Sequence, residues 1–396
     1  MFLWKKKHAS KTPQLLKPLP RLHTDILWDI IPELCAADLA SAARISKEWL
    51  PIARSCLYNR IALRATFTVS YQIAGILRSC EHLRSLIRHL SIECPSVGDS
   101  GPWFELLLGG WITLLPEHSL VSVELRSFHN RTTLDTLLGY PAVSTARHVI
   151  LHAEVGITQP RLAKLLQNPH LRGLSLFNHE LPVPIDYLSL TRLSIAISHP
   201  SATLPAFLDA LESPTQLRHF DLQVQDLAPH EATSVLGALK RHCKSLKHFS
   251  LVALEKLSEE PFMDDFVSSL SSAEYVCCAY GTYTVQGLLP RLSPSVRSLV
   301  LIWGLFSTTV VRDPNGYGQI MGAHLENVPF PSEELALIVS RLSSASQLSL
   351  THLTVVLPKF IRNKCLPVAN ACASAGVSFK RLQTGDLLVD HGFVGV

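Results

Sequence analysis

The sequence contains no Cys-x-x-Cys pair, no Gly-Lys-Ser/Thr phosphate loop, no His-Glu-x-x-His and no Gly-x-Ser-x-Gly. The common signatures of zinc, redox, nucleotide and serine-hydrolase chemistry are therefore missing. An excess of one charge is missing too. Thirty-six Lys and Arg face 32 Asp and Glu, a formal +4 over 396 residues, too little to announce a nucleic-acid footprint. Nor is there a long hydrophobic run: the longest, Leu299 to Phe306, falls far short of the ~20 residues a membrane helix needs. The opening Met1-Phe2-Leu3-Trp4-Lys5-Lys6-Lys7 puts its charges after too short an apolar stretch for a secretory signal. The nine cysteines are odd in number and scattered, which predicts reduced, mostly buried thiols in a cytosolic or nuclear setting. In that setting Asn130-Arg131-Thr132 is a chance glycosylation triplet.

Two fragments imitate catalytic loops. Gly98-Asp99-Ser100-Gly101-Pro102 resembles the surroundings of a protease serine but lacks the following glycine, and reads as a turn. Gly316-Tyr317-Gly318-Gln319-Ile320-Met321-Gly322 follows Asp313-Pro314-Asn315, a turn and not a strand end, so a dinucleotide site is not expected. The 18 histidines do not cluster with cysteines or carboxylates at ligand spacing. No enzyme, metal or cofactor is expected.

What the sequence does have is apolar patterning, 47% of its residues. Residues 1–20 carry Lys and Pro without apolar period and read as a loose arm. Over residues 21–62 the period becomes helical. Ile26, Leu27, Ile30, Ile31 and Leu34 form one stripe, with Thr24 or Asp25 as cap; a second helix is expected from Asp38 and a third from Ser46, through Trp49, Ile52, Ala53, Leu57 and Tyr58.

From residue 63 to 396 a phrase returns: apolar, two variable residues, apolar, one variable, apolar. It starts at Ile87, Leu120, Ala146, Leu171, Leu190, Leu217, Leu246, Val296 and Leu350, at spacings of 33, 26, 25, 19, 27, 29, 50 and 54. The last two spacings are about double, one of them holding a degenerate copy at Ala273 to Cys278. A period in the mid-twenties is that of leucine-rich repeats, each supplying a strand and a returning helix or turn. Helical stripes between phrases, such as Thr158 to Leu166, Leu204 to Leu211, Glu231 to His242, Glu260 to Leu270 and Ser332 to Leu342, suit the outer layer. Residues 308–331, rich in turn residues, predict a long loop. The expected fold class is thus α/β: a three-helix module followed by a leucine-rich-repeat solenoid, a curved parallel sheet with outer helices.

His89, His148, His219, His248 and His352 occupy one position of the phrase, just before its middle apolar residue. Strand alternation puts them, and the neighbouring column of Ser91, Ile150, Ser175, Ser194, Asp221, Ser250, Val300 and Thr354, on the side away from the core. This face is expected to bind a protein substrate, through His89, His148, His219, Asp221, His248 and His352. The cationic second positions Arg88, Arg147, Arg172, Arg218, Lys247 and Arg297 have no direction fixed by the sequence.

The helical module has recognisable landmarks. Leu22-His23-Thr24-Asp25-Ile26-Leu27, the Ile30-Ile31 pair, Leu34, Asp38-Leu39 and Ala43-Arg44-Ile45-Ser46-Lys47-Glu48-Trp49 together resemble an F-box, and Leu57-Tyr58-Asn59-Arg60-Ile61 resembles the segment that follows it in fungal proteins. His23 stands where the family has proline, and Leu19-Pro20 falls three residues early. The resemblance implies docking on a Skp-type adaptor, and through it a cullin scaffold, while the repeats choose the substrate. It implies adaptor-contact or box-core roles for Leu22, Ile26, Leu27, Ile30, Ile31, Leu39 and Trp49, with Trp49 expected in the core. The alternative is a non-degradative repeat scaffold with a degenerate box. No nucleic acid or membrane partner is expected.

Overall fold

The computed structural model describes residues 23–94, 104, 107–128, 130–153, 157–177, 189–197, 204–212, 214, 216–224, 227–253, 261–279, 281–303, 308–312, 318–323, 330–344, 349–357 and 365–383. The arm expected over 1–20, and Leu22, lie outside them. The chain divides into two compact units, residues 1–60 and 61–396.

Among its described residues the first unit has three α-helices, α1 (Thr24–Ile30), α2 (Ala36–Ala42) and α3 (Trp49–Asn59). Its core is Leu27, Ile31, Leu39, Ala42, Ile52 and Ala53, with Leu34, Trp49 and Leu57 packed against it. The starts of the first two helices differ from the sequence expectations. His23, not Thr24 or Asp25, caps α1, its Nδ1 accepting from the Asp25 N–H at 3.4 Å. The φ of His23, −61°, is one that proline also adopts. Helix α2 begins one residue after Cys35, so Asp38 sits in its first turn and accepts from the Cys35 thiol at 3.0 Å instead of capping. Ser46 does open the third helical segment: its Oγ accepts from the N–H groups of Glu48 and Trp49, at 3.2 and 3.3 Å.

The second unit is built on a twelve-stranded sheet. Its strands are β1 (Arg60–Arg64), β2 (His89–Glu93), β3 (Ser122–Phe128), β4 (His148–Ala153), β5 (Gly173–Phe177), β6 (Arg192–Ile197), β7 (His219–Val224), β8 (His248–Ala253), β9 (Tyr275–Ala279), β10 (Ser298–Ile302), β13 (His352–Leu357) and β14 (Ser378–Gln383). They lie side by side in sequence order, and from β2 to β14 the pairs are parallel. Each copy of the phrase, the degenerate one included, has become one strand, with its middle apolar residue aligned on its neighbour's. Leu193, Phe220, Phe249, Val276, Leu299 and Leu353 form one such row. These rows and the connecting helices bury one another. Phe220 lies 6.4 Å from Phe207 of the helix Leu204–Glu212, and Phe249 lies 5.2 Å from Phe266 of the helix Met263–Ser269.

The second long spacing has a different origin from the loop expected there. Two strands, β11 (Thr308–Arg312) and β12 (Gly318–Ala323), pair antiparallel as a separate ribbon between β10 and β13. The β-branched Thr308-Thr309-Val310-Val311 outweighs the turn residues around it. Gly318 to Gly322 of the glycine-rich fragment falls in β12. The edge strand β14 was missed because it breaks the apolar phrase; its Lys380 and Arg381 suit an exposed sheet edge.

Phe249 is fully buried, between Phe220 and Phe266. Phe249→Ala is expected to cost about 3–5 kcal/mol, read as a lower urea midpoint by circular dichroism; an unchanged midpoint would mean that the ring is not packed as described.

Candidate interaction surfaces

In the first unit the expected adaptor-contact residues separate by depth. Leu27, Ile31 and Leu39 are core, and Trp49 is partly buried against that core. Ile26 and Ile30 are 45% and 44% exposed. They stand one helical turn apart, at i and i+4, on one flank of the buried Leu27/Ile31 stripe. On the other flank of α1 Trp28 is 50% exposed, and beyond α2 Ile45 is 62% exposed. Trp28 was missed because the apolar stripe explained its neighbours; an exposed tryptophan beside a filled stripe is the signal that finds it.

In the second unit the side chains facing away from the helices form three aligned columns. The first reads, from β2 to β14, His89, Ser122, His148, Gly173, Arg192, His219, His248, Tyr275, Ser298, His352 and Ser378. The five predicted histidines are all in it, but only two are adjacent. His219 and His248 stack at 3.8 Å, and His248 stacks on Tyr275 at 4.1 Å. His89 and His148 are separated by Ser122, whose Oγ lies 2.8 Å from the His89 Nδ1. His148 has room for its ring because its neighbour is Gly173: a Cβ there would collide with the imidazole. His352 is exposed at the far end, beside the Thr351 hydroxyl.

The second column, Ser91, Glu124, Ile150, Ser175, Ser194, Asp221, Ser250, Cys277, Val300, Thr354 and Lys380, differs from the open polar surface expected. Ser175, Ser194 and Ser250 are buried. The third column lies beyond the six-residue phrase and carries the division of the face. At its start Arg126 donates to Glu124 at 2.7 Å, Ser91 donates to the same carboxylate at 2.9 Å, and His152 stacks on Phe177 at 3.8 Å. Towards its end Val252, Ala279, Ile302 and Val356 join Cys277 and Val300 of the second column in a buried apolar cluster, against which Tyr275 and Leu382 pack. The third column is thus ionic at β3 and β4, where Arg126 and His152 stand, and apolar at β8, β9, β10, β13 and β14. Arg126 and His152 were not singled out because the phrase was read only to its third apolar residue, and each stands directly after it; Glu124 lies inside the phrase, in the second column.

Electrostatics follow from the burial. His219 is pushed down to about 2 by burial, reinforced by His248 and Arg192. His152 is pushed down to about 4 by burial and by Arg126, against the pull of Glu124. His148 is also lowered, by burial and then by Arg192, Arg147 and His89. Burial raises the Cys277 thiol to about 12, and the Asp221 carboxylate adds to it; burial likewise raises Tyr275. At neutral pH these imidazoles are neutral hydrogen-bonding groups and the thiol is not a nucleophile. Among the described residues no group of three or more His, Cys, Asp or Glu is placed to hold a metal ion, and no helix is long and apolar enough to cross a membrane. No family model and no curated protein matches this sequence.

A histidine held neutral when folded binds its proton more readily when unfolded. Its contribution to stability is therefore full above the unfolded value of about 6.5 and declines as pH falls below it. The protein is expected to lose stability between pH 7 and about pH 5, with a shallower loss in His219→Phe, measured by urea titration at each pH. Equal slopes for the two proteins would contradict the assignment of His219.

Proposed function

We propose that this protein is the substrate-recognition subunit of a cullin-RING ubiquitin ligase of the SCF type, a non-catalytic receptor. In this reading the first unit docks on a Skp-type adaptor, which bridges to the cullin, and the second unit binds a protein substrate on the sheet face that carries the histidine columns. The observation that carries the reading is a compact helical unit whose core is filled by Leu27, Ile31 and Leu39 and which still exposes Ile26, Ile30, Trp28 and Ile45. A helix that presents apolar side chains at i and i+4 outside its own core has the pattern of a helix that buries them against a partner's helices. The F-box resemblance supplies the partner's identity. Leu22, in the resemblance a contact residue, stands immediately before the capping His23.

The sheet suits the receptor role because its parallel ladder supplies a rigid, extended platform, and rigid platforms bind without a large ordering cost. Half-buried His89, His148, His219 and His248, with the carboxylate of Asp221, offer hydrogen-bonding groups beside the ionic group Glu124–Arg126. A second reading, a repeat scaffold outside any degradative complex, keeps the same surfaces and drops the consequence for substrate lifetime; the departure at His23 is what favours it.

Ile26→Asp/Ile30→Asp is expected to abolish capture of a purified Skp-type adaptor, a loss of about 2–4 kcal/mol for two buried apolar anchors, with an unchanged circular-dichroism spectrum because neither side chain belongs to the core. Undiminished capture by the double variant would reject this docking face, and failure of the unaltered chain to capture adaptor would reject the ligase reading.

A further inference from the structure

The hydrogen-bonded ladder does not stop at the first residue of each strand. Val121 N–H donates to the Arg88 carbonyl, Arg172 to Arg147, Thr191 to Arg172, Arg218 to Thr191, Lys247 to Arg218, Glu274 to Lys247, Arg297 to Glu274 and Thr351 to Arg297, at 2.7 to 2.9 Å. The residues just ahead of the strands are thereby fixed as one more column along the N-terminal rim of the sheet. Arg88, Arg147, Arg172, Arg218, Lys247 and Arg297 of this column are all exposed, and Glu274 is its one carboxylate. On β6, where Thr191 holds the rim position, Arg192 follows it and is exposed too. Five consecutive strands, β4 to β8, therefore each present a cation at this rim: Arg147, Arg172, Arg192, Arg218 and Lys247. At ~4.8 Å per strand the row spans about 19 Å.

Part of this row is structural. Arg88, Arg172 and Arg297 each donate Nη1 to the carbonyl just before the next strand's phrase, those of Ser119, Ser189 and Ser349, at 3.0 to 3.1 Å. These bonds hold guanidinium groups in place and leave their other N–H donors available. Lys247 is paired with Glu274 at 2.8 Å, whereas Arg147, Arg172, Arg192 and Arg218 pair with no carboxylate among the described residues. The acidic groups on the adjoining face include Glu93, paired with Arg64, Glu124, engaged by Arg126 and Ser91, and Asp221, one column inward of Arg192. Of the imidazoles beside the row, His148 and His219 are held towards the neutral form, chiefly by burial.

We propose that the rim formed by Arg147, Arg172, Arg192 and Arg218 binds an extended, carboxylate-rich polypeptide segment. A strand-like peptide laid across the rim repeats same-side carboxylates every ~7 Å, so about five residues with three same-side carboxylates match the ~14 Å from Arg147 to Arg218. The planar guanidinium fork engages carboxylates bidentately. A nucleic acid fits less well: the neighbouring rings of His219, His248 and Tyr275 stack on one another, so that only the two outer faces of that stack are left for a base. That this segment belongs to a ligase substrate rests on the reading given above; the rim's affinity for it does not.

The test uses the full chain and a fluorescein-labelled octaglutamate peptide, read by fluorescence anisotropy at low and moderate salt. The unaltered protein is expected to bind, more weakly as salt rises, and Arg147→Gln/Arg192→Gln/Arg218→Gln to bind about tenfold more weakly. Arg172 is left in place because it holds the Ser189 carbonyl. Should the triple variant lose its melting transition, Arg147→Gln alone is expected to weaken binding about twofold. The proposal is overturned if the unaltered chain does not bind octaglutamate, if the substitutions leave binding unchanged, or if a thymidine 20-mer binds more tightly than the peptide. Adaptor capture by the same variant separates the claims: peptide binding lost with adaptor capture kept supports the rim, and peptide binding kept where the unaltered chain captures no adaptor leaves the rim standing without the ligase.

Discussion

The sheet depends on one constraint, that every repeat must align its backbone on the next. A single strand with a returning helix cannot bury its own apolar side; stacked in register, neighbours complete each other's core. The alignment here is strict over ten strands, β2 to β10 and β13, from the rim residue through the middle apolar residue of the phrase. Strict register has a consequence away from the core. Residues that share a phrase position become spatial neighbours ~4.8 Å apart, so small compositional biases in a sequence become rows of like groups on the surface. The histidine column, the cationic rim and the apolar cluster at Val252, Val300 and Val356 all arise in this way.

The same constraint explains what was legible in the sequence. The phrase repeats and its apolar residues cannot change without opening the core, so the strands, their order and their spacing were readable, including the degenerate copy at Tyr275 to Cys278. The histidines' place in one column was readable for the same reason. Strands β1 and β14 were not: each has only one neighbour, and Arg60-Ile61-Ala62-Leu63-Arg64 and Ser378 to Gln383 carry too few apolar residues to complete the phrase. The ribbon β11–β12 lies outside the repeat and so outside the signal.

Surface character was the harder part. Alternation gives the side of a sheet on which a residue stands, and says nothing of what else lies over it. Ser194 and Ser250 stand on the expected side and are buried all the same. The direction of the second-position cations was also beyond alternation, because it is decided by carbonyls of the following repeat, such as those of Ser119, Ser189 and Ser349. In the helical unit the stripe located the core, yet the difference between Ile26 and Leu27, adjacent in sequence and opposite in exposure, depends on how three short helices meet.

The account assigns attachment and recognition to different units of one chain, and this is its central claim. Hydrogen–deuterium exchange on the full chain, with and without a saturating Skp-type adaptor, tests it most directly. The account predicts that protection appears on α1, α2 and the turn carrying Ile45, while the amides of strands β2 to β14 exchange as before. Protection spread along the strands with none on α1 would contradict it.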